Sequence, residues 1–501
     1  MDVFKKFELA ATSFPEKTAI VHETVRITYQ DLLSAVNRFA AFLTGEGVKE
    51  RDVVGLHSDN SIAYVVAYLA AAKENLIVVP LDVRYTQEEL MRIVEDCQPN
   101  YYVVDKFRPL IEQNSLATAS PLKYFRDGDI ELGLAQTTTP HVRHPRLHED
   151  DFVVQYSSGS TGRPKGILLT QKGLAHKLQN WCATLEINEQ DVFLNTLTLS
   201  HCYGLYVHTL AALFSGATLV MVSLNMITPK RIALLIEEHG ITVFGSLPYM
   251  FQLLSDLPAN YTPDFSKVRY FISGSAPLNE KVARQFAARF GRQINQVFGL
   301  TEIGLITFNK NVEDPMSTGQ LTINMEARVI GDNGQPCADG EVGELVVRCA
   351  SIANGYLAHP EDEQEMFKDG WLHTKDFVYR QNGYFYVAGR KSQFINVGGN
   401  KVSPTEIEAC LANFTGIAES AVVGVADEFL GQRLVAFVCT DQVIDLNDVL
   451  VHCRDYLAPY KVPHQVLVVS EIPKSPLGKV LKDKLVDTHI ARAERHPENV
   501  G

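Results

Sequence analysis

What this chain lacks narrows it before any motif is read. Its eight cysteines (Cys97, Cys182, Cys202, Cys337, Cys349, Cys410, Cys439 and Cys453) form no Cys-x-x-Cys pair, and no His cluster has zinc-ligand spacing. They read as buried free thiols. No apolar core of signal-peptide length follows Met1, so secretion is not indicated and a cytoplasmic protein is expected. No apolar run reaches the length of a membrane span, because Ile62–Leu81 is broken by Lys73-Glu-Asn75 and Leu205–Ser223 holds His208 and Ser215-Gly216. Positive charge is not in excess either. A net charge of −13 argues against a nucleic-acid partner held through its phosphates. Internal repeats and low-complexity tracts are absent.

What is present fits a globular chain of more than one domain. With 501 residues, 46% hydrophobic and 21% charged, it is too long for one ordinary core. Helix, turn and strand recur at Ile62–Ala72 into Leu76–Pro80, Tyr206–Leu213 into Ala217–Val222, and Pro229–His239 into Thr242–Gly245. This alternation predicts an α/β layered architecture with mostly parallel sheets, whose strand ends deliver polar loops to one edge. After about residue 325 strands and turns take over, which predicts a small β-rich subdomain over about 325–389. Beyond Gly389-Arg-Lys-Ser392 the chain starts over. The expected organisation is a core over 1–389, a hinge at 390–393 and a small α+β domain over 394–501.

The stretch Tyr156-Ser-Ser-Gly-Ser-Thr-Gly-Arg-Pro-Lys-Gly166 reads as a phosphate cradle. Glycines (Gly159, Gly162, Gly166) let backbone N–H groups face an anion; Ser157, Ser158, Ser160 and Thr161 add hydroxyls, and Lys165 adds charge. It is no Walker loop. Pro164 precedes the lysine, and Gly166-Ile-Leu-Leu169 continues as a strand where a helix would be required. Taken alone, the same stretch could be a hydroxyl-rich turn.

The rest of the chain supplies company in order: Leu199-Ser-His-Cys-Tyr-Gly204, Ser273-Gly-Ser-Ala-Pro277, Gln296-Val-Phe-Gly-Leu-Thr-Glu302, Trp371-Leu-His-Thr-Lys-Asp376, Gly389-Arg390, Gly398-Gly399, Pro404-Thr-Glu-Ile-Glu408 and Pro473-Lys-Ser-Pro-Leu-Gly-Lys479. Together these segments resemble the adenylate-forming superfamily, which includes acyl-CoA synthetases, luciferases and peptide-synthetase adenylation domains. The resemblance spans essentially the whole chain. It implies an ATP- and magnesium-dependent acid ligase that makes an acyl-adenylate and then passes the acyl group on, with coenzyme A as the leading acceptor. An amine or amino acid, as in coronafacate ligase-like enzymes, and a carrier protein remain alternatives. A regulatory nucleotide binder without catalysis is disfavoured, since Lys479, Glu302, Asp376 and Arg390 are all intact.

The resemblance also implies roles. Glu302 is the expected magnesium ligand, Thr301 lies by the α-phosphate, Lys479 bridges ATP and the acid, and His201 gates the carboxylate pocket. Gly274, Ser275, Ala276, Pro277, Gln296, Phe298 and Gly299 are expected around the nucleotide, with Phe298 stacking on adenine and Asp376 and Arg390 on the ribose. Lys375 stands where the family usually has glycine, so a changed loop is expected there. Tyr203, Tyr249, Ser273, Gly274, Leu300 and Ile306 would line the acid pocket. Asn195–Ser215 contains no Asp or Glu, which disfavours an α-amino acid, because a buried ammonium would lack a partner. Cys202 departs from the asparagine of catecholate activators. A carbocyclic, aryl or medium acyl acid fits best. Ser392 occupies the hinge pivot where relatives carry Asp or Lys, while Gly398 and Gly399 would flank the acceptor tunnel.

Overall fold

The computed structural model describes residues 2–105, 118, 121–138, 144–158, 164–358, 360–390, 394–398, 400–427, 430–474 and 480–490. Gly159, Ser160, Thr161, Gly162, Ser392, Gly399 and Lys479 lie outside these residues, and only the backbone of Ser158 is described.

Two large sheets form the body of the molecule, as the α/β alternation predicts. In the nine-stranded sheet, Thr18–His22, Thr218–Met221, Val192–Asn195, Val243–Ser246, Tyr270–Ser273 and Ile294–Leu300 run parallel through the centre. Short apolar strands of this kind are buried on both faces. Their carboxyl ends emit the segments after Asn195, Ser246, Ser273 and Leu300, so the predicted site residues converge on one edge. In the eight-stranded sheet the parallel strands Val53–His57, Ile77–Leu81 and Tyr101–Val104 adjoin an antiparallel hairpin, Asp151–Ser158 with Pro164–Thr170.

Against the eight-stranded sheet packs the helix Ile62–Lys73, whose residues from Ile62 to Ala72 are all buried. A helix that is apolar all round belongs inside a protein or a membrane, and twelve residues span only about 18 Å. It is a core helix. Its start is fixed by Ser61, whose side chain accepts from the Tyr64 N–H. No helix among the described residues is long and apolar enough to cross a membrane.

Glu326–Ile330, Gly343–Arg348, Trp371–Gln381, Phe367–Lys368 and Tyr384–Arg390 make a five-stranded antiparallel sheet where the turn-rich grammar begins. A fourth sheet joins Asn400–Val402, Ile395–Val397, Gly431–Cys439, Glu419–Asp427 and Gln465–Val468. The helices Pro404–Ala412 and Leu446–Tyr456 accompany it. Ile395, Ile407, Val422, Leu434 and Val449 share a core of their own.

Two expectations need correction. The helix foreseen at Tyr206–Leu213 is a π-helix over Tyr203–Leu210 followed by one turn of α-helix, Ala211–Phe214. Gly204 presses so closely on the backbone that a Cβ would sit 2.3 Å from the Thr198 carbonyl oxygen, a contact that local periodicity cannot register. Of the eight cysteines, only Cys97, Cys410 and Cys453 are fully buried; the other five are half-buried, though all are free thiols.

Candidate active site

The hairpin of Asp151–Ser158 with Pro164–Thr170, on which the ends of the Tyr156–Gly166 motif lie, sets the first side chains of the candidate site. Ser157 lies opposite Lys165, and Tyr156 opposite Gly166. Gly166 is a strand residue whose missing side chain admits its neighbours: a Cβ would meet Val154 at 2.9 Å and the Tyr156 ring at 3.0 Å. Its glycine therefore serves hairpin packing instead of anion turning. Lys165 is mostly buried and pairs with Asp362 at 2.6 Å, its ammonium 5.8 Å from the centre of the Tyr356 ring.

Tyr356 connects this lysine to the acidic residue of the motif. Its strand, Gly355–Tyr356, pairs with the loop's own strand, and its hydroxyl donates to Glu302 Oε1 at 2.9 Å. Burial, with the Glu302 carboxylate beside it, pushes the Tyr356 phenol well above its ordinary value, so it stays a donor. Glu302 is only 8% exposed.

Glu302 lies in a tight turn, Thr301-Glu302-Ile303, between the antiparallel strands Ile294–Leu300 and Gly304–Phe308. Each turn carbonyl is held. Thr301 O accepts from Lys177 Nζ at 2.7 Å, Glu302 O from the Ala353 N–H at 2.7 Å, and Ile303 O from the Ser351 hydroxyl at 3.0 Å. Gly299 is obligatory beside it, since a Cβ there would lie 2.4 Å from the Gly304 carbonyl oxygen. The Thr301 hydroxyl faces the Cys202 thiol at 3.4 Å, and His201 Nδ1 is 4.0 Å from the same sulfur. Burial pushes the Cys202 thiol up, but His201, Thr301 and Lys177 together outweigh it and leave the thiol below its ordinary 9.0. His201 answers in kind: burial lowers it, and the Cys202 and Asp82 charges carry it above 6.5. Burial holds Lys177 down to about 8, against the pull of Cys202, Cys349 and Glu302.

Asp376 and Arg390 meet across paired strands, with Arg390 Nε donating to Asp376 Oδ1 at 2.9 Å. Burial raises the Asp376 carboxyl above 3.8 despite the guanidinium. Lys375, where a changed loop was expected, immediately precedes this aspartate. It takes φ +59°, the left-handed conformation that glycine adopts freely, while its N–H donates to Glu344 and its ammonium pairs with Glu365. A left-handed non-glycine residue costs about 1–2 kcal/mol, and glycine loses about 0.5–1 kcal/mol in unfolded-chain entropy. Lys375→Gly should therefore raise stability by about 0.5–1 kcal/mol in urea unfolding. Unchanged or lower stability would show that the ion pair with Glu365 outweighs the strain.

The remaining predicted residues occupy varied places. Gly274 follows Tyr270–Ser273 where a Cβ would lie 2.7 Å from Val297 and 3.2 Å from the Tyr203 ring, so glycine is required. Ser275 has φ +65° and is exposed with Pro277; Ala276 is half-buried. Gln296 spends its amide on the Pro315 and Ser317 carbonyls. Phe298 and Leu300 are half-buried at the strand end; Tyr203 is buried, donating to the Ile272 carbonyl. Ser273 is buried as well, without a hydrogen-bond partner for its hydroxyl. Tyr249 is 50% exposed on the helix Pro248–Ser255. Ile306 is 0% exposed, sealed in the main core, and so serves packing and not pocket lining. Gly398 is exposed with φ +56°.

Sequence reading passed over Tyr356, Asp362 and Lys177. Lys177 did leave a signal, for it shares the apolar face of its helix with Leu174, Trp181 and Leu185. Tyr356 and Asp362 left none, because strand pairing and packing alone bring them to the loop.

This assembly matches known proteins along nearly its whole length. The 3-[(3aS,4S,7aS)-7a-methyl-1,5-dioxo-octahydro-1H-inden-4-yl]propanoyl:CoA ligase of Rhodococcus jostii is 31% identical across 95% of this chain and 96% of that protein. The indoleacetate–CoA ligase of Aromatoleum aromaticum is 31% identical across 94% of each. The crystal structure of ATP-bound MatB from Rhodopseudomonas palustris superposes with a TM-score of 0.86 and 28% identity, over 98% of this chain and 99% of that one. A family model described as AMP-binding enzyme matches residues 7–357, and one described as its C-terminal domain matches 406–479. With these matches over most of its length, this protein belongs to the AMP-binding enzyme family.

Proposed function

We propose that the protein is an acid:CoA ligase that first couples a carboxylic acid to AMP, releasing pyrophosphate, and then transfers the acyl group to the thiol of coenzyme A. The observation that carries it is the place of Tyr356 between the hairpin lysine and the motif glutamate: the Lys165 ammonium lies 5.8 Å from the centre of its ring, and its hydroxyl donates to Glu302. Lys165, Tyr356 and Glu302 are thereby brought together, with the Thr301 hydroxyl one residue before the glutamate. Two full-length relatives named as CoA ligases support the thioester step.

In the first step the acid's carboxylate oxygen attacks the α-phosphorus, and the bond to the β-phosphate oxygen breaks. Two anions must approach, so positive charge is needed where negative charge builds. Lys165 serves the departing phosphates, and Lys479 serves the α-phosphate and the acid. Magnesium suits the donor set here: it commonly takes one or two carboxylates with substrate phosphates and water, and Glu302 offers an oxygen not engaged by Tyr356. Bound there, it would neutralise phosphate charge. No group of three or more His, Cys, Asp or Glu side chains that could hold a metal by themselves occurs among the described residues. Asp376 accepts from the ribose hydroxyls, and Phe298 offers its ring to adenine. His201 and Tyr203 border the acid, for which a cyclic or aryl acid without an ammonium group is the best fit. In the second step the domain over 394–501 rotates about 390–393, withdrawing Lys479 and bringing Gly398 and Gly399 to the thiol.

Acid-dependent ATP–pyrophosphate exchange across aliphatic, aryl and cyclic acids tests the first step, and product mass with coenzyme A and isoleucine offered in parallel tests the second. Exchange with a thioester product is expected. An amide product, or loading of a carrier protein alone, would displace the CoA assignment while leaving adenylation intact. Silence across all the acids would sink the ligase reading.

Acidity gives a further check. Asp376 must be ionised to accept from the ribose, and burial raises its carboxyl above 3.8, so protonation begins at a higher pH than for an exposed aspartate. ATP affinity by calorimetry should thus fall as pH is lowered towards that raised value, and Asp376→Asn should be weaker and flat. An equal acid-side decline in Asp376→Asn would assign it to another group.

A further inference from the structure

Three donors hold the three carbonyls of the Thr301–Ile303 turn, and only one of them is charged. The Ala353 N–H and the Ser351 hydroxyl are neutral, whereas Thr301 O is held by the Lys177 ammonium at 2.7 Å. Lys177 lies on the buried face of the helix Gln171–Leu185. Space for its stem is provided by Gly304, at φ +97°, where a Cβ would come within 3.1 Å of Lys177 Cγ. Taking an ammonium out of water is costly, and a neutral donor suffices for a carbonyl, as Ser351 demonstrates two residues further on. The charge needs a reason of its own. Around it stand Glu302, Cys202 and Cys349, the first expected at the metal and the second touching Thr301.

We propose that Lys177 is a positioning residue for adenylation: it clamps the Thr301 peptide and places a positive charge beside the turn that meets the transferring phosphate. This rests on the ligase reading above. Negative charge grows at the α-phosphate in the transition state, and a preorganised cation nearby is worth more there than in the ground state. Loss of the charge should therefore act on rate more than on ATP binding. The lysine reaches Thr301 from the helix that follows the phosphate hairpin directly, so one continuous segment, Pro164–Leu185, would set both the loop lysine and the turn.

The test is Lys177→Gln, which keeps a donor and removes the charge, with Lys177→Met as the variant that removes both. Pyrophosphate exchange is measured with an acid that the wild-type enzyme accepts, alongside the KM for ATP and the thermal midpoint. For Lys177→Gln we expect the rate to fall about 10–100-fold with KM for ATP within about threefold. The midpoint should stay within about 4 °C. Lys177→Met should be slower still. Wild-type rate in Lys177→Gln overturns the inference and leaves the ligase reading standing. A midpoint lowered by more than about 8 °C, with the KM values for ATP and acid both raised, would make Lys177 a structural residue and overturn it equally. A wild-type enzyme silent with every acid sinks the ligase reading, and this inference with it.

Discussion

Glu302→Gln should lower acid-dependent pyrophosphate exchange by roughly 10²–10³-fold, about 2.7–4 kcal/mol of barrier, the usual cost of removing one well-aimed electrostatic partner. The substitution is nearly isosteric, and its amide oxygen can still accept from the Tyr356 hydroxyl that now lies 2.9 Å from Glu302 Oε1. Folding should be spared, because the turn is held through the carbonyls of Thr301, Glu302 and Ile303 and not through the carboxylate. What disappears is negative charge. A magnesium–ATP complex then loses its protein carboxylate, so higher magnesium should recover part of the rate. Exchange within tenfold of wild type, or a loss indifferent to magnesium, would remove Glu302 from the metal's coordination.

Lys479→Ala should be as severe, but in one half-reaction only. If Lys479 supplies the cation at the α-phosphate, its removal costs roughly 10²–10³ in adenylate formation, while thioester formation from a supplied acyl-adenylate continues near the wild-type rate. Single-turnover assays of each half-reaction separate the two. Equal losses in both would contradict a lysine withdrawn by domain rotation between steps. The contrast with Glu302→Gln is informative, since both variants lose exchange but only the glutamate variant should respond to magnesium.

Part of the architecture is carried by local order along the chain. The alternation of helix, turn and strand placed the helix Pro229–His239 at its observed bounds. Reading faltered where one residue type serves two ends. Gly166 resembled the anion-turning glycines of the loop, yet the Tyr156 ring opposite explains it. Ile306 looked like a pocket wall from its place beside the motif, yet its side chain is sealed in the main core.

The amino-acid order alone determined the family-level resemblance, the layered α/β class and the polar segments at the strand ends. Those depend on local periodicity, on turn-forming residues and on motif order, all of which a linear string carries. Tertiary structure alone decided the connections among them. Tyr356, about fifty residues downstream of Glu302, donates to its carboxylate because its two-residue strand pairs with the loop's hairpin. Asp362 reaches Lys165, and Lys177 reaches Thr301, across separations for which sequence has no period. The Tyr156–Gly166 motif was legible in the sequence, while the pairing of Lys165 with Asp362 and of Glu302 with Tyr356 was set by packing, since burial makes such pairing obligatory.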